Sequence, residues 1–203
     1  MGEMGLRDLK RARTRRLIAD TASRLFAERG YEQVTVREIA RAAEVAEQTL
    51  YNYFPTKEQL VTDREQQIQQ QLDELIRTRP AGTSPAAAIR DLVLQTVSAS
   101  RDLPPENGLG TLGSLAAVSP AVHRLALEMI DRLATTLAAA IGGTTPIAPE
   151  VARLHGIALA GVFHIILGES GRSLRAGRTP AETADALLPR IDDVLGELDR
   201  WLR

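Results

Sequence analysis

The alternation of apolar and polar positions is helical along the whole chain. Leu17, Ile18, Ala22, Leu25 and Phe26 recur at spacings of three and four, which predicts a first helix over about Lys10 to Arg29. Gly30 and Tyr31 then fit a left-handed C-terminal cap with its hydrophobic follower. Thr35 and Glu38 form a T-x-x-E capping box, with Val34 and Ile39 at the positions of a hydrophobic staple. A second helix therefore starts at Val36 and runs to about Ala42. Its apolar face of Ile39, Ala40 and Ala43 is small enough for another helix to come close. The period breaks at Ala43-Glu44-Val45 and resumes from Ala46 to Tyr53, with Leu50 and Phe54 inward, until Pro55 ends it. Two short helices joined by a tight turn match the helix-turn-helix unit, whose second member enters a DNA major groove. Glu47, Gln48, Thr49, Tyr51 and Asn52 are left facing outward, a set able to donate, accept and pack against a thymine methyl.

Beyond Pro55, Thr56 reads as the cap of a fourth helix that continues through Leu60, Ile68, Leu72, Leu75 and Ile76, its glutamines from Gln66 to Gln71 forming a solvated face. Prolines and glycines mark a loop from Arg79 to Pro85. A helix over about Pro85 to Arg101 follows, with Ile89, Leu92, Val93, Thr96 and Val97 inward. Leu103 to Gly113 reads as a loop leading into a short helix from about Gly110 to Val118, and Ser119-Pro120 caps a long one ending near Ala140. Residues 149–174 are the most apolar segment, with Gly156, Gly161 and Gly168 interleaved among the large side chains. A second capping box, Thr179 to Glu182, opens a last helix whose stripe runs from Leu187 through Ile191 and Leu195 to Leu202, with Pro189 placed to kink it. A helix apolar on nearly all sides must be buried, and one chain of this size offers limited cover for both of the last two long helices. A homodimer formed through them is expected. No strand-like alternation occurs, so the fold class is all-α, with an arm and helix-turn-helix head over residues 1–57 and a larger helical domain over 58–203.

Composition narrows the chemistry. The 203 residues are 44% hydrophobic but only 3% aromatic, which suits helix packed on helix, and no cysteine is present to form a disulfide, a thiolate metal site or a nucleophile. Neither a signal peptide nor an apolar run of about 18 residues is found, so a cytoplasmic protein with no membrane partner is expected. The net charge of −1 conceals a split: residues 1–60 carry eleven basic against nine acidic side chains, the remainder fourteen against seventeen. Arg7, Lys10, Arg11, Arg13, Arg15 and Arg16 face only Glu3 and Asp8 within the first sixteen residues. This reads either as a basic arm that attracts phosphates or as a solvated tail. The histidines are the candidates for acid–base or metal chemistry, yet His155 and His164 lie about 180° apart on a helix and cannot share a metal. Without an H-E-x-x-H, phosphate-loop or nucleophile-elbow motif, no catalytic residue, metal or cofactor is expected.

Three stretches carry a resemblance. They are R-x-x-I-x-x-x-A-x-x-L-F-A-E-R-G-Y from Arg15 to Tyr31, T-V-R-E-I-A from Thr35, and V-x-x-x-T-L-Y-x-Y-F-P-x-K-E-x-L from Val45 to Leu60. Over residues 13–60 the chain resembles the TetR family of bacterial one-component transcriptional repressors. The resemblance implies a three-helix DNA-binding head followed by a ligand-binding and dimerisation domain. It also implies a repressor that binds a palindromic operator in double-stranded DNA and is released by a largely apolar small-molecule effector. Carried over position by position, Thr35, Thr49, Tyr53 and Lys57 match phosphate-contacting residues, while Arg37, Glu47, Gln48 and Tyr51 match those that reach base edges. An arginine at 37 would favour guanine.

Two departures stand out: Glu44 where the family usually has glycine in the turn, and Ala46 where it usually has a serine-like cap. For an effector cavity, Asn107, His123, Met129, His155, Phe163 and His164 are the residues that suit a mostly apolar lining with few polar groups. One of His155 and His164 would face that cavity and the other the dimer seam. Two other classes compete: an interaction module whose head has decayed, with Glu44 and Ala46 as its marks, and an enzyme built on the larger domain. The intact set of Thr35, Arg37, Thr49, Tyr51, Tyr53 and Lys57 argues against decay, and the lack of a positioned acid–base pair argues against catalysis.

Overall fold

A computed structural model describes residues 5–63, 65–107 and 110–202. The chain divides into two compact units, one ending at Asp63 and one beginning at Arg64. The first holds α1 (Leu6–Arg29), α2 (Val36–Ala42) and α3 (Glu47–Tyr53). One side of α1 buries Ile18, Ala22, Leu25 and Phe26, but Leu17 is 50% exposed, because it lies a full residue step around the helix from the stripe that Ile18 leads. The helix also begins earlier than the sequence suggests, at Leu6, so Arg7, Lys10 and Arg11 stand exposed on helix. Glu3 lies outside the described residues. Gly30 closes α1 at φ 85°, ψ 149°, with its amide on the Phe26 carbonyl at 2.9 Å. That positive φ with extended ψ is a region open only to glycine, and it turns the chain so that Tyr31 packs on Phe26 with ring centroids 5.1 Å apart.

The fourth helix differs from its expected course. Glu58–Leu60 is a single 3-10 turn, and α-helix resumes only at Glu65, as α4 (Glu65–Arg77). Leu60 is buried in the first unit while Leu72 and Ile76 belong to the core of the second, and Asp63 is held by Arg15 at 2.6 Å. Two cores thus claim the two ends of this stretch, and the helix breaks between them.

In the second unit follow α5 (Pro85–Ala99), α6 (Gly110–Ala116), α7 (Pro120–Gly142), α8 (Pro149–Arg175) and α9 (Pro180–Trp201). Ser84, Ser119 and Thr179 cap α5, α7 and α9 through their hydroxyls, and Glu182 completes the box at Thr179. The helix α8 packs on α7, α6 and α9, α5 lies along α9, and α4 along α7. Leu72, Ile76, Ile89, Leu137, Ile141, Leu159 and Ile191 are fully enclosed, each contributing about 1.5–3 kcal/mol by burial. Thr96, expected inward, is exposed and returns its hydroxyl to the Leu92 carbonyl at 2.7 Å. Pro189 lies within α9, which continues through it.

At three points two helices of this unit meet without a side chain between them. A Cβ added at Gly113 would overlap the carbonyl oxygen of Leu167, one at Gly171 the backbone of Gly113, and one at Gly156 the backbone of Ala134. So α6 lies backbone to backbone on α8, and α8 does the same on α7. Taken whole, α8 is long and apolar enough to cross a bilayer by length and composition, contrary to the expectation of no such run. One side of it, carrying Leu159, Val162 and Ile166, is buried in the core. The other leaves Val151, Leu154, Ile157 and Ile165 exposed.

Candidate nucleic-acid interface

The geometry of the reading unit starts at the cap of α2. The Thr35 hydroxyl oxygen accepts from the Glu38 amide at 3.2 Å, and the Glu38 carboxylate accepts from the Thr35 amide at 2.8 Å. Arg29 adds a third donor at 2.7 Å. The Thr35 amide, then Arg29, hold the Glu38 carboxyl down at about 2. Val34 and Ile39 are fully buried beneath the box, as a staple requires.

Glu44 takes the turn at φ 55°, in the left-handed region, without glycine's freedom. The strain is tolerated. Ala46 caps α3 through backbone geometry alone, with no side-chain hydrogen bond. Leu50 and Phe54 are fully enclosed, which fixes the rotation of α3 and decides which residues face out.

On that outer surface Arg37 and Glu47, expected to reach base edges separately, form one ion pair. The Arg37 Nε donates to the Glu47 carboxylate at 2.8 Å with the guanidinium side chain 83% exposed, which leaves its terminal nitrogens open. Gln48 donates to Asn52 at 3.3 Å one turn on, and Tyr51 is 43% exposed beside them. Thr49 and Tyr53 are half-buried, and Thr35 is exposed with its hydroxyl engaged in the box.

Lys57 behaves differently. Its ammonium donates to the Tyr31 carbonyl at 2.6 Å and sits 4.1 Å above the Tyr31 ring, so the structure gives it a partner inside the head. Burial pushes its pKa below the ordinary lysine value, and burial with Glu58 and Glu32 nearby pushes the Tyr31 hydroxyl up to about 12. Arg15, a member of the basic run near the start of the chain, also holds the far end of α3. It donates to the Tyr53 carbonyl at 2.9 Å, pairs with Asp63, and lies 4.4 Å over the Phe54 ring. No local pattern announces this, because its partners are 38 and 48 residues away.

The six candidates for an effector cavity differ in their surroundings. His123 and His164 are exposed, and His155 meets Trp201 edge-on at 5.4 Å, where burial lowers its pKa. Phe163 packs against the core, Met129 is half-buried, and the Asn107 side-chain oxygen is buried without a hydrogen-bond partner among the described residues. None of them lines either of the clefts described below.

Comparison with known proteins gives the same account of the head. Residues 18–63 match the family model described as bacterial regulatory proteins, tetR family. The HTH-type transcriptional regulator TcmR of Streptomyces glaucescens is 31% identical over 134 residues, 66% of this chain and 55% of TcmR. The HTH-type regulator YuxN of Bacillus subtilis is 33% identical over 76 residues, 37% of this chain and 26% of YuxN. The chain thus spans about half the length of TcmR and less of YuxN. In structure it resembles NalD, the secondary repressor of the MexAB-OprM multidrug efflux pump in Pseudomonas aeruginosa. The TM-score is 0.54 at 19% identity, over 89% of this chain and 95% of NalD. A capped helix pair with a buried inner face and the family model lying across it converge: residues 18–63 are a DNA-binding head of the tetR family of bacterial regulatory proteins.

Proposed function

We propose that the protein is a ligand-responsive repressor that binds a palindromic operator in double-stranded DNA as a homodimer and is released by a small-molecule effector. The observation that carries this reading is the outer surface of α2 and α3, where Arg37, Glu47, Gln48 and Tyr51 stand exposed over an enclosed core. Arg37 reads guanine through its open terminal nitrogens, and Thr35, Thr49 and Tyr53 approach the phosphates on either side. Lys57 serves the interface by bracing the head.

Dimerisation through α8 and α9 is supported by the apolar row Val151, Leu154, Ile157 and Ile165, with Trp201 of α9 also half exposed. Two heads related by a two-fold axis then call for half-sites at least a helical turn apart. The larger unit, beginning at Arg64, holds the effector. To weaken the DNA complex a hundredfold, the effector must favour the non-binding state by about 2.7 kcal/mol. A protein with this task works in the cytoplasm, where the DNA is.

The test is binding of the full chain to the DNA flanking its own gene at two salt concentrations, with Arg37→Ala alongside. The expected result is a preference over random DNA that falls steeply with salt, and a loss of about 1–3 kcal/mol of that preference in the variant. Equal binding to random DNA overturns the reading.

A further inference from the structure

We propose that the cleft where α8 turns into α9 is a binding site for a small polyanion of the phosphate class, held by Arg172, Arg175, Arg178 and Arg190. The cleft has a volume of about 350 Å³, the size of a small-molecule site, and its lining includes these four guanidinium groups and one carboxylate, Glu169. The lining therefore carries a surplus of three positive charges, in a unit whose side chains are acidic in sum.

Helix-dipole compensation does not account for this. It explains Arg172 and Arg175 in the last turn of α8, but not Arg178, which lies beyond the helix, or Arg190, which comes from α9. Glu169 is shared by Arg172 and, at 3.2 Å, Arg190, which fixes those two across the cleft. Among the described residues Arg175 has only a long contact of 3.4 Å to the Gly113 carbonyl, and Arg178 has no carboxylate within salt-bridge distance, Glu182 feeling it only at longer range. The backbone holds Arg178 in place: Gly177 turns at φ 74°, and the Arg178 amide returns to the Ser173 carbonyl at 3.1 Å. Guanidinium groups set on rigid backbone and short of carboxylates are the donors that recognise phosphate oxygens in pairs.

A second observation points the same way. Arg178 also lines a neighbouring recess of about 20 Å³, room for one water-sized group such as a ligand oxygen. Ser170 lines it too, is 2% exposed, and its hydroxyl has no hydrogen-bond partner among the described residues. A buried hydroxyl left over beside an arginine is the donor that a group entering past Arg178 would satisfy.

The site stands on these side chains alone and is independent of the reading as a DNA repressor, so its test uses no DNA. The full chain is titrated calorimetrically with inorganic pyrophosphate, ionic strength being held constant with sodium chloride. Saturable binding of one pyrophosphate per chain is expected, weakened at least about tenfold in the double variant Arg175→Gln/Arg178→Gln and unchanged in Arg7→Gln/Lys10→Gln. Absence of saturable binding, or undiminished binding by the folded double variant, overturns the proposal, as does loss on the Arg7/Lys10 change. Should the double variant fail to fold, hydrogen exchange of the wild-type chain decides. Slowing confined to residues 169–190 supports the site, and its absence there refutes it.

Discussion

Lys57→Met separates a brace from a phosphate contact. The substitution keeps an unbranched stem of similar length and removes the ammonium, which donates to the Tyr31 carbonyl at 2.6 Å and lies 4.1 Å over the same residue's ring. A hydrogen bond from a charged donor contributes about 1.5–3 kcal/mol, and a partly exposed cation over an aromatic ring about 0.5–1 kcal/mol. Against this stands the cost of desolvating the ammonium, the same burial that lowers its pKa, and the half-buried position screens what is left. A net loss of about 1–2 kcal/mol is expected, equivalent to roughly 5–30-fold more frequent opening of the head. Hydrogen exchange of the full chain reads this directly, as faster exchange of the α1 and α2 amides around Phe26 and Ile39, with α7 and α8 unaffected. The slope of DNA affinity against salt should not change. If head protection is intact to within about 0.5 kcal/mol while the salt slope drops by about one, the ammonium serves phosphate and the bracing argument is wrong.

Three further outcomes follow from the same geometry. Glu44→Gly relieves the residue at φ 55° and should stabilise the head by up to about 1 kcal/mol; a destabilised head in urea unfolding would show that Glu44 makes an interaction worth more than its strain. Glu47→Ala breaks an exposed ion pair, so the unfolding midpoint should hardly move, while Arg37 loses its anchor and the ratio of specific to random DNA binding falls; an unaltered ratio refutes the role given to the pair. The Glu38 carboxyl, at about 2 in the folded chain against an ordinary 4.5, gives stability that is present in full above about 4.5 and is lost as pH falls toward 2. Glu38→Gln should therefore flatten the acid limb of head unfolding, and an unchanged limb would exclude the box as its source.

What the sequence made legible was local. The capping boxes at Thr35 and Thr179 each join residues three apart, so each is encoded within a single turn of chain. Leu17 and Thr96 were misplaced because apolar or β-branched residues one position off a stripe fit the same count of threes and fours. Long-range partners left no trace. The Tyr31 carbonyl that meets Lys57 is 26 residues upstream, and Arg15 reaches Asp63 over 48. The break over residues 61–63 has no local mark either: the polar positions there suit a continuous helix, yet Leu60 is buried in the first unit and Leu72 in the second. The arginines of the α8–α9 cleft are in plain view in the sequence, but Arg190 joins the other three only through the turn at Gly177.

The three bare contacts have a mechanical meaning. Most helix contacts are cushioned: a leucine can change rotamer and absorb a small shift of its neighbour, so a displacement fades within one layer. Where Gly113 and Gly171 place α6 against α8, and Gly156 places α8 against α7, there is nothing to rearrange. At those points a shift of one helix meets the backbone of its neighbour directly, whereas the side-chain-lined contacts elsewhere in the larger unit can absorb part of it.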